Sequence, residues 1–526
     1  MNQPHPPILD AAGLDALRAA LTRFTPDAVQ DELGPVGQAA HGRGDLLGVE
    51  RALTGDDPLP TLIRLFLLGV PVPVSAARAA LAPLRPEDAP ALLDVGPDDV
   101  RARLEVRPYA AAHGDDSWWV VSDFGSDVRP GPLAADHVLG IGAASLTLAQ
   151  ATVRQPVRRA LDLGTGCGVQ ALHLAEHAAS VTATDVSERA LRLAATTAAL
   201  SGQSWELRDG SLLEPVAEEQ FDLIVANPPF VVSPGGTGYD YRDSGLAGDG
   251  VSRALLTALP DRLRPGGVAQ LLANWVITAD RPWDERLSGW LTGRGVDAWV
   301  WQREVAEPGE YVSLWLRDAG DLPGTARWRT QYSAWLDWFA AHGVLAVGMG
   351  LVSMWRTDRS DPVIVCEDVP QAMEQPAGAH LPGWITRRRW LAEHDDRALL
   401  QARLRRADDL VRTRQELAGP DGWYPAASLL RQSHAMRWEL QIDDAVAAVV
   451  AACTGEVPLA ATVAVLAATV GTSADEVSGA LLPVIRDLIG RGFLEPPAPE
   501  RPASERPASE PPASEPPAPG RGGDLR

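Results

Sequence analysis

The tetrapeptide Asn227-Pro-Pro-Phe230 carries the groups of this sequence that are best suited to chemistry. Asn227 and Pro228 each precede a proline, which favours an extended backbone, and neither proline has an N–H to occupy a nearby acceptor. The Asn227 side-chain oxygen and the Pro228 carbonyl are therefore expected to accept hydrogen bonds from an amide or aromatic amine. We predict that Asn227, Pro228, Pro229 and Phe230 activate a planar nitrogen, with the Phe230 ring stacked on its planar group. The alternative is an ordinary strand end with a Pro-Pro stop.

A glycine-rich segment upstream has the pattern of a ligand loop. Gly164, Gly166 and Gly168 follow an apolar run that contains Leu161 and Leu163, and apolar residues at helical spacing come next. This order predicts a strand, a glycine loop and a helix. Glycines let a backbone approach a ligand closely. In dinucleotide dehydrogenases the third glycine comes three residues after the second, whereas here it comes two after. The segment therefore predicts a loop for a different nucleotide-like cofactor.

Two acidic residues accompany the loop. Asp185 closes a second predicted strand, where a carboxylate can accept hydrogen bonds from both hydroxyls of a ribose. Its alternative role is a helix N-cap beside Ser187. Asp162 precedes the glycines, and we expect it to order the amides of the loop or to meet an ammonium group of the cofactor. Both acids are predicted cofactor-site residues.

With these motifs in place, residues 135–356 resemble a class I S-adenosylmethionine-dependent methyltransferase of the small-domain N-methyltransferase group. This group includes release-factor glutamine methyltransferases and ribosomal RNA guanine-N2 and adenine-N6 methyltransferases. The resemblance implies S-adenosyl-L-methionine as the cofactor and a Rossmann-like core with a seven-stranded, mostly parallel sheet. In its terms the three glycines match the cofactor loop, Asp185 the ribose-binding acid and 227–230 the acceptor motif.

The resemblance adds four cofactor-site candidates. An acid after the third strand often contacts the cofactor's adenine, and in this chain Asp209 or Ser211 stands near that position. A segment before the first strand usually folds over the methionine end of the cofactor. Gly140 and Ser145 lie in that segment and are predicted to contact the cofactor, although a plain glycine-containing helix start is the alternative.

Length and local patterns predict four regions in the 526 residues. The expected order is an N-terminal accessory domain of helices and a β-hairpin (1–130), the methyltransferase domain (131–356), a helical, winged-helix-like domain (357–495) and a disordered tail rich in Pro, Ala, Ser and Glu (496–526). The predicted fold class is therefore α/β, with mainly helical, winged-helix-like accessory domains on both sides of the core.

Composition excludes several classes of function. All 47 basic residues are arginine, which excludes Schiff-base chemistry on lysine. The three cysteines fit neither a disulfide framework nor a zinc site, so we expect a reducing cytoplasm and no metal. No signal peptide or apolar run of membrane-spanning length is evident, and no membrane partner is expected.

Charge bears on the methyl acceptor, which we expect to be a macromolecule. The formal net charge is −22, and no large segment is net basic. A protein glutamine of the translation machinery agrees with this acidity, since nucleic-acid binding usually needs a positive face. An RNA or DNA base is the alternative, favoured by the paired accessory domains and by an arginine cluster in 387–414 that otherwise indicates a solvated helical face. A small molecule or an inactive scaffold is a lesser alternative, and the oligomeric state is not predicted.

Overall fold

A computed structural model describes residues 5–111, 117–235 and 245–497. The chain divides into two compact units, the first formed by residues 1–389 and 432–439 and the second by residues 390–431 and 440–526. The predicted tail is almost entirely outside the described residues, which end at residue 497. Among the described residues, no helix combines the length and apolar character needed to cross a membrane.

The first unit begins with helices and continues with short strands. Polar caps start the first helices, as where the Asp10 side chain accepts a hydrogen bond from the Gly13 amide at 2.8 Å. Leu62, Leu65 and Phe66 bury one face of the fourth helix. The predicted order of helices followed by a hairpin is observed. The elements are α1 (Ala11–Leu21), α2 (Pro26–Gly42), α3 (Leu46–Ala52), α4 (Pro58–Phe66), β1 (Val72–Pro73), α5 (Val74–Leu81), β2 (Leu93–Val95), β3 (Asp99–Ala102), β4 (Glu105–Ala110) and β5 (Ser117–Ser122).

The core of the first unit is one large sheet with helices. Its elements are α6 (Ala143–Ala151), β6 (Val157–Leu163), α7 (Val169–Ala175), β7 (Ala178–Asp185), α8 (Glu188–Leu200), β8 (Glu206–Asp209), β9 (Phe221–Ala226), α9 (Gly250–Ala258), β10 (Leu263–Thr278), α10 (Trp283–Leu291), β11 (Val296–Ala306), α11 (Pro308–Asp318), α12 (Ala326–Ala341), β12 (Val344–Arg356) and β13 (Ile364–Asp368). The strand order is β8-β7-β6-β9-β10-β12-β11-β13. All neighbouring strands are parallel except the pairs that include β12.

The sheet confirms the predicted mostly parallel core, but within the described part of the chain it has eight strands instead of seven. The additional strand, β13, pairs in parallel with β11 along the edge of the sheet. It lies after residue 356, where the methyltransferase domain was predicted to end. The domain boundaries remain a prediction, and the large sheet itself continues at least to Asp368.

The strand order places the site. From β6 the chain continues to β7 on one side, whereas β9 lies on the other side of β6. In open parallel sheets, ligands bind beyond the carboxyl ends of the strands where the order reverses in this way. Leu161, Leu163, Ile224 and Ala226 at the carboxyl ends of these central strands are buried, which leaves the loops that follow them to bind a ligand.

The antiparallel strands carry a helical insertion. Helices α11 and α12 connect β11 with β12, and Tyr311, Leu316 and Phe339 bury their inner faces. The Tyr311 hydroxyl accepts hydrogen bonds from the Val232 amide at 2.9 Å and from the Asn274 side chain at 2.8 Å. The insertion is therefore fixed to the segment that follows the predicted acceptor motif.

The remaining elements are α13 (Leu381–Glu393), α14 (Asp396–Gln401), β14 (Arg405–Arg406), β15 (Leu410–Gly419), β16 (Gly422–Gln432), β17 (Glu439–Gln441), α15 (Asp444–Ala452), α16 (Leu459–Val470), α17 (Ala474–Arg491) and β18 (Leu494–Glu495). In the second unit β14 pairs with β18. A capping box between Ser473 and Glu476 starts α17, and Gly492 ends it in a left-handed conformation.

The predicted helical face of the arginine cluster is wrong for its second half. Arg412 and Arg414 lie on the exposed strand β15, and Arg405 and Arg406 form β14. Charged residues two positions apart occupy one face of a strand, so their spacing fits an exposed strand as well as a solvated helix.

Candidate active site

The glycine loop connects β6 with α7 and depends on a left-handed backbone. Gly164, Gly166 and Gly168 have φ angles of +75°, +54° and +91°. A Cβ at Gly166 would meet nothing within 4 Å, whereas one at Gly168 would lie 2.6 Å from the Trp205 ring. Gly166 is therefore the open position of the loop, and Gly168 is required by packing instead of by ligand approach.

Asp185 lies at the end of β7 beside this loop. Its Oδ2 accepts a hydrogen bond from the Gly166 amide at 2.9 Å, and its Oδ1 accepts one from the Ser187 amide at 2.9 Å. Ser187 caps helix α8 by accepting from the Ala190 amide. The N-cap role considered for Asp185 is therefore filled by Ser187, and Asp185 faces the loop.

Asp162 lies inside the protein and orders the loop from beneath. Its Oδ2 accepts hydrogen bonds from the Thr165 hydroxyl at 2.6 Å and from the Ala171 amide at 3.0 Å. Burial raises the pKa of Asp162 to about 7. Of the two roles predicted for this side chain, the structure shows the ordering of the loop.

The acceptor tetrapeptide follows β9 and faces the glycine loop. A Cβ at Gly164 would lie 3.8 Å from the Asn227 carbonyl oxygen and 4.0 Å from the Pro228 Cα. The Asn227 side-chain amide donates a hydrogen bond of 3.4 Å to the Ser145 hydroxyl. Gln170 in α7 in turn donates to the Ser145 carbonyl at 2.8 Å. The two motifs, which are separated in sequence, thus meet beyond the carboxyl ends of β6 and β9.

A cavity of about 750 Å³ lies between these segments. Most of the predicted site residues line it: Gly140, Ser145, Gly164, Gly166, Asp185, Ser211, Asn227, Pro228, Pro229 and Phe230. Asp162, Gly168 and Asp209 do not belong to its lining. The Asp209 side chain is 75% exposed and lies 3.5 Å from His5, so Ser211 is the one of this pair on the cavity wall.

The segment before β6 combines both roles considered for it. Gly142 precedes the first residue of α6, and Ser145 lies in the first turn of that helix. Gly140 and Ser145 also line the cavity. The glycine-containing helix start is therefore itself part of the wall.

Several residues of the wall were not predicted from the sequence. Trp315 and Asp318 reach the cavity from α11, and the Trp315 ring packs edge-on against Phe230 with centroids 5.9 Å apart. Glu105, Arg107, Asp123 and Asp127 reach it from β4 and from the chain after β5. No motif surrounds these positions in the sequence, and only the fold brings them to the site.

Three family models match separate segments of the chain. A domain of unknown function (DUF7059) matches residues 21–117, the methyltransferase small domain matches residues 139–282, and a second domain of unknown function (DUF7782) matches residues 382–496. Residues 139–282 form a methyltransferase small domain. The family resemblance noted in the sequence is thereby confirmed, and this domain contains both the glycine loop and the acceptor tetrapeptide.

Curated relatives agree with the methyltransferase small domain. The release factor glutamine methyltransferase of Xylella fastidiosa is 42% identical over 130 residues, which cover 22% of this chain and 47% of that protein. The ribosomal RNA small subunit methyltransferase C of Alcanivorax borkumensis is 32% identical over 116 residues, 22% of this chain and 32% of that protein. The chain thus spans about half or less of the length of these relatives.

A solved structure of a T. thermophilus 16S rRNA N2 G1207 methyltransferase, with AdoMet and guanosine, also matches. It is 21% identical and covers 48% of this chain and 66% of that chain, with a TM-score of 0.26. A TM-score of 0.26 does not establish a shared fold, so the fold of the methyltransferase small domain is inferred from the strand order given above.

Proposed function

We propose that this protein is an S-adenosylmethionine-dependent N-methyltransferase that acts on a planar amide or exocyclic amine nitrogen. The observation that carries the proposal is the approach of the Asn227 and Pro228 backbone to the glycine loop, where a Gly164 Cβ would lie 3.8 Å from the Asn227 carbonyl. A cofactor on the loop and an NH2 group on the tetrapeptide would be direct neighbours.

The residues of the cavity fit such a cofactor. Its volume of about 750 Å³ is within the range of roughly 300–1,000 Å³ typical of small-molecule sites. The open backbone at Gly166 would admit close approach, the Asp185 carboxylate beside it would accept hydrogen bonds from ribose hydroxyls, and Ser211 lies on the wall of the same cavity. When bound, S-adenosylmethionine supplies an electrophilic methyl group on a positively charged sulfur.

The tetrapeptide would hold the acceptor nitrogen. Because the Asn227 amide nitrogen donates to Ser145, its Oδ1 is left to accept a hydrogen bond from the substrate NH2 group. The Pro228 carbonyl would accept the second, since neither proline of the motif has an N–H that could compete with the substrate NH2 group for this acceptor. Two such bonds hold the nitrogen pyramidal and direct its lone pair towards the glycine loop. They strengthen as the nitrogen gains positive charge, so they favour the transition state.

A protein glutamine is the acceptor that we propose first. The relative that shares 42% identity is named a release factor glutamine methyltransferase. The net charge of −22 also suits a protein better than a polyanion, because phosphate neutralisation usually supplies much of nucleic-acid affinity. The proposed partner is therefore a protein of the translation machinery.

A base of RNA or DNA is the second candidate. Its support is the 32% identity to a protein named ribosomal RNA small subunit methyltransferase C. The same pair of acceptors at Asn227 and Pro228 would hold the exocyclic NH2 of a purine as well as a carboxamide, so the tetrapeptide alone does not choose between them.

Labelled cofactor separates the two acceptors. The purified protein is incubated with methyl-labelled S-adenosylmethionine and a cell extract, and the labelled products are treated with protease or with RNase and DNase. The proposal expects label that protease converts to small fragments and nuclease leaves intact. Label released only by nuclease would transfer the proposal to the nucleic-acid base, and no transfer to either polymer would contradict both.

A further inference from the structure

The hairpin formed by β4 and β5 is fixed to the helices beside the glycine loop. Tyr109 on β4 shares a hydrogen bond of 2.7 Å with His173 in α7. The β5 backbone amides of Trp119 and Val121 donate to Ser201 at 3.2 Å and to Thr197 at 3.0 Å, respectively. The segment matched by the family of unknown function, 21–117, includes all of β4 and ends at the first residue of β5. The hairpin is therefore held rigidly against the methyltransferase small domain.

Two charged side chains of β4 project from this hairpin to the cavity. Glu105 and Arg107 are two positions apart, so they lie on the same face of the strand, and both line the cavity. The Arg107 Nε donates to Glu105 Oε1 at 2.7 Å, and the Ser122 hydroxyl donates to Oε2 at 3.2 Å. The Glu105 side chain is only 6% exposed, whereas that of Arg107 is 35% exposed.

Glu105 lies next to the segment that is expected to fold over the methionine end of the cofactor. A Cβ at Gly140 would lie 3.1 Å from Glu105 Oε2. Cys167 of the glycine loop lines the same cavity as Glu105. Glu105 is thus beside the 138–145 segment, on a cavity that the glycine loop also lines.

The charges on the wall are unequal. Among the described residues that line the cavity, Arg107 is the single arginine, whereas Glu105, Asp123, Asp127, Asp185 and Asp318 are acidic. An amino-acid group carries one ammonium and one carboxylate, and its carboxylate needs a cation or free N–H donors. Arginine is the side chain best shaped for that contact.

We propose that Glu105 and Arg107 form the subsite that binds the ammonium and carboxylate of the cofactor's amino-acid end. The inference rests on the proposed function, since it concerns the same cofactor. Its consequence is that the active site extends beyond residues 139–282, and that a segment matched only by a family of unknown function supplies two of its binding residues.

Two ligands isolate this subsite in a calorimetric titration of the full chain. S-adenosylhomocysteine has the amino-acid end, and 5′-methylthioadenosine shares the nucleoside and thioether but lacks that end. The wild type is expected to bind the first ligand more tightly. Arg107→Ala should weaken S-adenosylhomocysteine binding about tenfold or more, and Glu105→Gln by several-fold, with methylthioadenosine affinity kept within about twofold.

Arg101→Ala is the matched control, because Arg101 lies on β3, the preceding strand in the chain, pairs with Asp99 and does not line the cavity. It should bind both ligands as the wild type does. Unchanged S-adenosylhomocysteine affinity in Arg107→Ala and Glu105→Gln, or an equal loss for both ligands, would overturn the subsite alone. A wild type that binds neither ligand would overturn the proposed function together with the subsite.

Discussion

The cavity has two walls that differ in how their residues are distributed along the chain. The loop wall consists of residues 164–167 and 227–230, which belong to two short motifs that follow β6 and β9. The hairpin wall consists of Glu105, Arg107, Asp123 and Asp127, which follow no motif. Backbone requirements mark the first wall in the sequence, since positive φ angles demand glycine and fixed carbonyls demand proline. Tertiary packing alone creates the second.

The two walls also have different proposed roles. The loop wall contains the backbone and side-chain acceptors that we propose to hold the reacting nitrogen. The hairpin wall contains the paired charges that we propose to hold the cofactor. Substitutions in the tetrapeptide of the loop wall should therefore change the rate of transfer most, whereas substitutions of Glu105 and Arg107 in the hairpin wall should change cofactor affinity.

The largest effect is expected for Asn227→Ala. Loss of the Oδ1 acceptor should lower kcat by roughly 100- to 1,000-fold, the cost of removing one preorganised hydrogen-bonding group at the reacting atoms. S-adenosylhomocysteine affinity, measured by calorimetry, should stay within about threefold, because the cofactor is held by other residues. A variant that transfers methyl at the wild-type rate would break the assignment of the loop wall.

Asp185→Ala should mainly weaken cofactor binding. Removal of the carboxylate at the end of β7 deprives the ribose of its acceptor and is expected to raise the Kd of S-adenosylhomocysteine about 10- to 100-fold. Asp209→Ala is the matched control, because that side chain is exposed and is not part of the cavity lining. Equal losses in the two variants would contradict a specific contact between Asp185 and the ribose.

Ser145→Ala tests how Asn227 is oriented. The Ser145 hydroxyl accepts a hydrogen bond of 3.4 Å from the Asn227 side-chain amide. Loss of the hydroxyl frees that amide to rotate. We expect kcat to fall by about 2- to 10-fold, the range set by one net hydrogen bond, with cofactor affinity unchanged. Ser145→Thr keeps the hydroxyl and should recover most of the rate. An equally impaired threonine variant would indicate a packing role instead.

The smallest expected effect is a pH dependence of stability that is caused by Asp162, the buried acid that orders the glycine loop. Because burial raises the pKa of Asp162 to about 7, the folded protein keeps a proton that the unfolded chain releases. The stabilisation is complete below about pH 4 and is lost as the pH rises through about 7. Asp162→Asn, which stays neutral, should lose less Tm over this interval than the wild type, by a few degrees.

Thermal melts at several pH values check this expectation. Asp209→Asn is the exposed control and should follow the wild-type curve. If Asp162→Asn and the wild type show parallel curves, the proton on Asp162 does not contribute to the stability of the loop wall.

The parts of the molecule that were predicted correctly are those determined by patterns of neighbouring residues. The strand, glycine loop and helix around Gly166, and the mostly parallel sheet, follow from patterns within short windows. The strand β13 was missed because an edge strand of five residues has no partner visible in the sequence. Sequence patterns could not decide between Asp209 and Ser211 because β8 ends at Asp209, and the path of the loop that carries Ser211 to the cavity depends on tertiary packing.

Gly168 shows a second reason why sequence patterns did not predict the whole site. Its place in the glycine pattern suggested approach to a ligand, but the Trp205 ring, from a different part of the chain, fills the space that a side chain would need. The residues of the hairpin wall were missed for the same reason. Their role depends on how β4 packs beside the glycine loop, which no local pattern records.

The most direct test of the account is the identity of the atom that receives the methyl group. Labelled product from the transfer assay is digested with enzymes to single residues or nucleosides, and the labelled species is identified by chromatography and mass spectrometry. The account predicts a methyl group on a planar nitrogen, as in an N-methylated glutamine side chain. Label on oxygen, sulfur or carbon would contradict it, because the acceptors at Asn227 and Pro228 are suited to hold an NH2 group.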